Sequence, residues 1–250
     1  MLSKSQIIVL HTIKHGDNGL VLQCYSNTSG RTALYMKVSS KNKLVISNLH
    51  RLSILDVVTY NRGSSMPIVK EMEPLVRLDS VRTNIYKNTI AIFLSELLVR
   101  CIKESEANLQ LYQVLTSSIS ILEHMQEGVS NFHIHFMVHL SKMLGFMPMD
   151  NYSASEPLFN ISSARFCEGE VFFDGQYCRV KENAANCCFS KSESELLHLV
   201  MNTPAIRCCD IKCNGELRFS FSNQMIRYLS HHLGMNLEMK SHDVLHEVFN

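Results

Sequence analysis

The stretch GRTALYMKVSSKNK covers residues 30–43, and its part RTALYMKV, residues 31–38, alternates side chains of two kinds with a period of two. One face is mainly apolar and the other is basic and aromatic: Thr32, Leu34, Met36 and Val38 against Arg31, Tyr35 and Lys37. A period of two is that of a β-strand with one buried face. The stretch also collects four cations and no acidic residue. It therefore predicts a strand with a cationic outer face.

The residues around this stretch continue the strand pattern through position 75. QIIVLHTI, LVLQCYS, SILDVVTY and MPIVKEM are strand-like runs, and HGDNG and NTSG have the composition of turns. About five short strands in one small basic module fit a closed β-barrel such as the OB-fold, which often binds single-stranded nucleic acid.

From position 83 the apolar residues recur at spacings of three and four, which is typical of helices. The last hundred residues mix the two patterns: PLFNI and EVFF are a candidate hairpin, and Ser190 with Glu193 is a candidate capping box. The predicted class is α+β. The predicted domains are an OB-fold barrel at 1–78, a helical bundle at 79–149 and a small mixed region at 150–250.

Net charge is distributed unevenly along the chain. The 250 residues carry +1 overall, but residues 1–70 hold nine lysines and arginines against two aspartates. Such segregation favours a polyanionic partner, above all nucleic acid, over an ordinary solvated surface. The candidate DNA contacts are Lys14, Arg31, Lys37, Lys41, Lys43, Arg51 and Arg62, with Tyr35 preferred to Tyr25 and Tyr60 as a platform for stacking bases.

Composition narrows the class of protein further. The chain is 46% hydrophobic, and no run reaches the roughly 18 to 20 apolar residues of a membrane span. Ile7 to Leu10 is too short for the core of a signal peptide, so the expected location is the cytoplasm, without membrane contact. Nine cysteines, an odd number, indicate reduced thiols in that compartment.

Two groups of residues resemble metal sites. His135 and His139 are one helical turn apart, but no further ligand stands nearby in the sequence, and a polar stripe on a helix explains them better. Cys208, Cys209 and Cys213 are weak zinc candidates because the chain contains no C-x-x-C pair. Neither a cofactor nor a metal is expected. No motif for a catalytic nucleophile or a phosphate-binding loop is found.

Several segments together resemble the RecO family of bacterial recombination mediators, in the form found in Bacteroides-like bacteria. They are IIVLHTIKHGDNGLVLQCYSNTSGR, LHRLSILDVVTY, FLSELLVRCIKESEANLQLY, FHIHFMVHLSKMLGFMP and KSHDVLHEVFN. His50 and Arg51 depart from the usual glutamine and proline, and agreement is weakest over residues 160–215.

The resemblance implies a DNA-binding protein that is not an enzyme. Members bind single- and double-stranded DNA, anneal complementary strands, contact the tail of single-stranded DNA-binding protein (SSB), and work with RecR to load RecA. A nucleoid-associated location follows. Arg100, Lys103 and Lys142 are candidate cations for the acidic SSB tail. Some relatives hold zinc through C-x-x-C pairs, which this chain lacks. The alternatives are an adaptor whose basic barrel binds acidic peptides, and a DNA enzyme with an unrecognised site.

Overall fold

The five N-terminal strands close into a barrel in the computed structural model of the chain. The structure describes residues 2–39, 46, 49–61, 63, 66–168, 171–174, 177–180 and 187–249. The strands are β1 (Leu2–Lys14), β2 (Gly19–Ser26), β3 (Gly30–Lys37), β4 (Ile54–Tyr60) and β5 (Ile68–Pro74). Their order around the barrel is β1-β2-β3-β5-β4. All neighbours are antiparallel except β3 and β5, which are parallel at Tyr35 and Ile68.

Alternating side chains fill the barrel as the period of two predicts. The core consists of buried apolar residues from four strands: Ile7, Val9, Leu22, Cys24, Leu34, Met36, Leu55 and Val57. Leu34 and Met36 of β3 are buried, whereas Lys37 is exposed. The five-stranded barrel and the α+β class are therefore confirmed, and the topology is that of an OB-fold.

In the first compact unit, which spans Met1–His124, the described residues after the barrel form three helices. They are α1 (Asp79–Thr83), α2 (Ile85–Cys101) and α3 (Leu109–His124). The buried hydroxyl of Ser95 in α2 donates to the carbonyl of Leu10 in β1, which fastens the helix to the barrel. The carboxylate of Glu123 in α3 accepts the backbone N–H groups of Ser80 and Val81, both over 2.8 Å, and so caps α1.

The second compact unit spans Met125–Asn250. Its helices are α4 (Phe132–Met143), α5 (Lys191–Met201), α6 (Gly215–Leu233) and α7 (Ser241–Phe249). Its strands are β6 (Leu158–Asn160), β7 (Arg165–Cys167), β8 (Val171–Asp174) and β9 (Tyr177–Val180). The predicted capping box is confirmed, because Ser190 and Glu193 exchange hydrogen bonds at the start of α5.

One predicted pairing in this unit is wrong. PLFNI and EVFF do not form a hairpin together, because β6 pairs with β7 and β8 pairs with β9. Each run meets the segment that directly follows it, which leaves the shorter loop to close. The structure divides the chain into two compact units, with the boundary after His124. The three domains predicted from the sequence, with boundaries after residues 78 and 149, stay a prediction. None of the described helices is long and apolar enough to cross a membrane.

Candidate nucleic-acid interface

Two of the predicted cations lie on the two strands that flank β2, near the end of the β1–β2 hairpin. Lys14 of β1 pairs in register with Leu20, and Lys37 of β3 pairs with Gly19. Because successive residues of a strand point to opposite faces, the two lysines belong to opposite faces of the sheet. Both side chains are exposed. We call Lys14, His15, Tyr35 and Lys37 the hairpin edge. Its cations can lie against phosphates without reading bases.

Tyr35 supplies the hairpin edge with an aromatic ring. The ring lies against Gly19, where a Cβ atom would come within 2.8 Å of it. His15 meets the same ring edge to face, with centroids 5.9 Å apart. The same Cβ atom would lie 2.4 Å from the backbone carbonyl oxygen of His15, so the turn as well as the ring requires glycine at position 19. A half-buried tyrosine beside an exposed lysine on the same strand face has the chemistry of a base-stacking platform.

Arg31 has a different environment, although it shares a strand face with Lys37. Its Nη1 donates to the carbonyl of Ile102 over 2.7 Å and also to that of Val99, at the end of α2. Burial lowers the pKa of Arg31. The guanidinium thus satisfies helix carbonyls that have no partner within the helix, and this engagement argues against phosphate as its main partner.

Arg51 also faces a helix. Its Nη1 lies 3.4 Å from Oγ of Ser95 and 3.5 Å from the carbonyl oxygen of Leu10. These are long hydrogen bonds, so the contact is weaker than that of Arg31. Burial, together with the charge of Arg51, lowers the pKa of His11. Arg51 therefore contacts β1 at Leu10 and α2 at Ser95, whereas the hairpin edge begins at Lys14, four residues further along β1.

The carboxylates of the barrel are concentrated on β4 and β5. Asp56 and Glu73 are cross-strand partners, and Glu71 is paired with Val58 on the same surface. Like charges directly opposite each other disfavour the sheet by a few tenths of a kcal/mol or more. Because β2 lies on the other side of β1 and β3 from these strands, the three acids and the hairpin edge occupy different parts of the barrel. The exposed Asp17, by contrast, lies in the β1–β2 turn itself.

The remaining predicted DNA contacts divide into two groups. Lys41, Lys43 and Arg62 lie outside the described residues. Tyr25 is buried, with its hydroxyl 3.4 Å from the carbonyl oxygen of Asn108, and so belongs to the interior of the first unit. Tyr60 is half-buried under the ammonium group of Lys70, 5.6 Å from the ring centroid.

The predicted cations for a partner peptide belong to two units. Arg100 of α2 forms an ion pair with Glu96 over 2.9 Å, one helical turn earlier. Lys103 is exposed just beyond the same helix. Lys142 is exposed near the end of α4, in the second unit. Their role in binding stays a prediction.

The two histidines of the possible metal pair pack against each other. The rings of His135 and His139 stack with centroids 4.1 Å apart, and Nε2 of His135 is 2.9 Å from the carbonyl oxygen of Thr203. Burial, with a smaller effect of His139, lowers the pKa of His135 to about 4. Nε2 of His135 thus bonds a carbonyl and is not available to a metal in this arrangement. That the pair is a polar stripe without a metal stays a prediction.

The three cysteines considered for zinc have separate surroundings. Cys208 is fully buried, and burial raises its pKa to about 12. The thiol of Cys213 donates to Oδ1 of Asn131 over 3.3 Å, and that of Cys209 points to Asp210. Across the described parts of the chain, no three His, Cys, Asp or Glu residues are grouped to hold a metal ion. That the protein needs no zinc stays a prediction.

Sequence reasoning missed two members of the site. His15 and Gly19 bracket the turn between β1 and β2, and both touch Tyr35. Strand alternation assigns the residues of a strand to its two faces. It does not predict which turn residues contact the side chains of a neighbouring strand. The sequence did contain one indication, because Gly19, the second glycine of HGDNG, lies directly before an apolar run. A glycine at the start of a strand can mark a close approach by another group.

The chain is similar to known proteins along its whole length. The family model described as "Recombination protein O C terminal" matches residues 82–241. A DNA repair protein RecO from Bacteroides fragilis is 28% identical, with both chains covered completely, and one from Christiangramia forsetii is 27% identical with the same coverage. The RecO protein of Flavobacterium johnsoniae is 30% identical over 171 residues, which is 66% of this chain and 71% of the relative.

Proposed function

Because this chain belongs to the RecO family, whose members act in DNA repair and recombination, we propose that it is a mediator that binds DNA without sequence specificity. It would bind single and double strands, anneal complementary strands and, with RecR, help to load RecA onto strands coated by SSB. Its site of action would be the nucleoid in the cytoplasm, and it would break no bond in the DNA.

The hairpin edge is the observation that supports this proposal best. An exposed lysine shares a strand face with an aromatic ring, a second exposed lysine ends β1, and the carboxylates of β4 and β5 lie on other strands, which leaves Asp17 as the acid of the hairpin turn. Lysines that replace condensed counterions along a strand give affinity that falls with salt and ignores base sequence. An aromatic ring adds roughly 1 to 3 kcal/mol for each stacked base, whatever its identity.

Annealing follows from the same chemistry. Two complementary strands repel each other through their phosphates, and a cationic surface that holds both lowers this repulsion. Base pairing then supplies the selectivity, so the protein needs no side chain that reads bases. The acidic tail of SSB would be a second ligand, for which Arg100, Lys103 and Lys142 remain candidates.

Fluorescence anisotropy with labelled oligonucleotides of unrelated sequence tests the DNA-binding part. The Lys14→Ala, Lys37→Ala double variant should bind every oligonucleotide more weakly. Its plot of log affinity against log salt should be shallower by about 1.4 for single strands, since each lost phosphate contact removes roughly 0.7. The matched control is Lys4→Ala with Lys70→Ala, which removes two exposed lysines from the strands beside the acidic surface.

The outcomes separate the candidate functions. Tight binding that the control keeps and the hairpin-edge variant loses supports the proposal. No binding of the unaltered protein at low salt would contradict it and favour an adaptor for acidic peptides. Loss of full-length oligonucleotide only when a divalent metal is added would identify a DNA enzyme instead.

A further inference from the structure

A small cavity of about 10 Å³ lies in the second unit, where α4, α6 and α7 meet. A cavity of this size holds about one water-sized group. Its polar lining consists of His133 from α4, Arg218 and Ser222 from α6, and His242 and His246 from α7. Among the described lining residues none is acidic. The polar groups around the cavity are therefore neutral or positive.

Arg218 places a permanent charge at this cavity. The residue is buried, with 9% of its surface exposed. Its Nη1 donates to the amide oxygen Oδ1 of Asn131 over 3.2 Å and lies 3.9 Å from Sγ of Cys213. Burial raises the pKa of the Cys213 thiol, so both partners are uncharged. In the part of the chain that the structure describes, Nε and Nη2 of Arg218 have no hydrogen-bond partner and the guanidinium group forms no ion pair.

A buried guanidinium group favours a negative charge beside it. The group stays charged at every pH at which the protein folds, and it offers N–H donors on each of its nitrogens. Burying a charge is strongly unfavourable unless an opposite charge or a full set of hydrogen bonds compensates it. The ring of Phe249, with its centroid 5.9 Å from Cζ of Arg218, supplies only a cation–π contact. The surrounding side chains thus leave the charge of Arg218 largely uncompensated.

Neighbouring groups make the electrostatic potential of the cavity more positive. Burial, reinforced by the charges of Arg218 and His242, lowers the pKa of His133 to about 3. An imidazole whose protonation is opposed by nearby charges lies in a positive potential. Gly215, the first residue of α6, also lines the cavity, and the N-terminus of a helix carries a partial positive charge. These contributions add to the charge of Arg218 and favour an anion.

Hydrogen bonds and stacking fix the wall that α7 contributes. The hydroxyl of Ser222 donates to the carbonyl of Phe219 over 2.8 Å. Because a hydroxyl has one hydrogen, Ser222 accepts from Nε2 of His242, 2.5 Å away, which places the proton of the neutral imidazole on Nε2. The ring of His242 also stacks on that of Phe219, with centroids 4.6 Å apart. The cavity is therefore pre-formed, and little ordering opposes the binding of a ligand.

The size of the cavity decides which anion fits. Phosphates and carboxylates each have several heavy atoms, whereas the cavity has room for about one water-sized group. A water molecule satisfies the volume but leaves the charge of Arg218 uncompensated. A monatomic anion satisfies both the volume and the charge, and chloride is the common anion of this kind.

We propose that this cavity binds one chloride ion, which neutralises the guanidinium group of Arg218 beneath the C-terminal helix α7. The ion joins α7 to α4 and α6, so the stability of the second unit depends on the anion in solution. The cavity shares no residue with the hairpin edge, which belongs to the first unit. The inference therefore does not rest on the proposed function.

Thermal melting of the full-length protein without DNA tests the site, with sodium chloride compared with sodium gluconate at the same sodium concentration. Gluconate is too large for the cavity. It is also strongly hydrated, and salts of such anions stabilise proteins in general, so a non-specific salt effect would favour gluconate. A chloride site should instead raise the melting temperature saturably, by about 3 to 6 °C at about ten times the dissociation constant. The line width of the ³⁵Cl NMR signal reports the bound ion directly.

Three variants assign the effect to the cavity. Arg218→Met keeps the length of the side chain and removes its charge, so its melting temperature should be no higher in chloride than in gluconate. Ser222→Thr adds a methyl group at the cavity and keeps both the hydroxyl and Arg218, so it should weaken chloride binding about tenfold or more. Arg227→Met changes an exposed arginine of the same helix and should keep the full chloride effect.

Three results would overturn the inference: no rise of the melting temperature of the unaltered protein in chloride over gluconate, a full chloride effect in Arg218→Met, or a full chloride effect in Ser222→Thr. If Arg218→Met does not fold, the Ser222→Thr variant and the ³⁵Cl line width decide. Oligonucleotide anisotropy, measured separately, reports on the proposed function, so either can fail alone.

Discussion

The guanidinium group of Arg31 donates a hydrogen bond to the backbone carbonyl of Ile102 over 2.7 Å, at the point where α2 ends. The last carbonyls of a helix have no partner within it, and a cation there also suits the helix dipole. Arg31 therefore joins β3 to α2. One of the seven cations predicted to contact DNA thus fastens a helix to the barrel.

Replacing Arg31 should affect stability more than DNA binding. Arg31→Ala is expected to lower the free energy of unfolding by about 1.5 to 3 kcal/mol, the range for hydrogen bonds to charged groups. Urea denaturation measures this loss, and oligonucleotide anisotropy measures affinity. Lys37→Ala, on the same strand face, should show the reverse pattern. If Arg31→Ala keeps its stability and loses affinity, the guanidinium binds phosphate after all.

The turn between β2 and β3 requires a glycine at its end. Gly30 has a φ of +57°, and a Cβ atom there would lie 2.1 Å from the carbonyl oxygen of Glu106. Gly30→Ala combines backbone strain with a backbone clash and should cost about 2 to 5 kcal/mol by urea denaturation. Gly63→Ala is the matched control, because its φ is +62° with nothing within 4 Å. It should cost about 1 to 2 kcal/mol, and equal losses would mean that the clash relaxes.

Glu123 stabilises the first unit through its charge as well as its hydrogen bonds. Its carboxylate caps α1, and it raises the pKa of the buried Lys87, which burial otherwise lowers more strongly. Glu123→Gln keeps the size of the side chain and removes the charge. It should lower the free energy of unfolding by about 2 kcal/mol, because the cap weakens and the ammonium group loses a nearby anion.

Glu71→Gln serves as the control for this change, since Glu71 is an exposed carboxylate of β5 in the same unit. Thermal or urea unfolding should give a value within about 0.5 kcal/mol of the unaltered protein. A Glu123→Gln protein as stable as the Glu71→Gln protein would show that the cap contributes nothing through its charge.

The barrel could be predicted because its determinants are local. Strand alternation in β3 depends on neighbours in the sequence, and the buried Leu34 and Met36 follow from it. Arg31 and Lys37 share that alternation, yet one is held by α2 and the other is exposed. The difference depends on a helix end about 70 residues further along the chain. No local pattern contains this information.

The turn before β4 was unpredictable for a related reason. It passes through Leu52, whose φ of +65° is a backbone conformation that favours glycine or asparagine. The pairing of β6 with β7 was missed because a three-residue strand is too short to show a period. In contrast, the capping box at Ser190 is a contact within one turn, and it was read correctly.

Buried histidines make the second unit sensitive to acid. Burial, reinforced by the nearby charges of Arg218 and His242, lowers the pKa of His133 to about 3, and that of His135 falls to about 4. In the unfolded chain both titrate near 6.5. Below that pH the unfolded state binds protons that the folded state does not, so the free energy of unfolding falls as the pH drops from 6.5 toward 4. Above 6.5 their contribution is complete.

The expected loss is about 2 kcal/mol per histidine between pH 6.5 and 5, at roughly 1.4 kcal/mol per pH unit. Urea denaturation at pH 7.5, 6 and 5 measures it. His135→Gln keeps a donor for the carbonyl of Thr203 and removes one titrating group, so its slope should be shallower by about one proton. A flat profile for the unaltered protein, or an unaltered slope for His135→Gln, would mean that these imidazoles are protonated in the folded state.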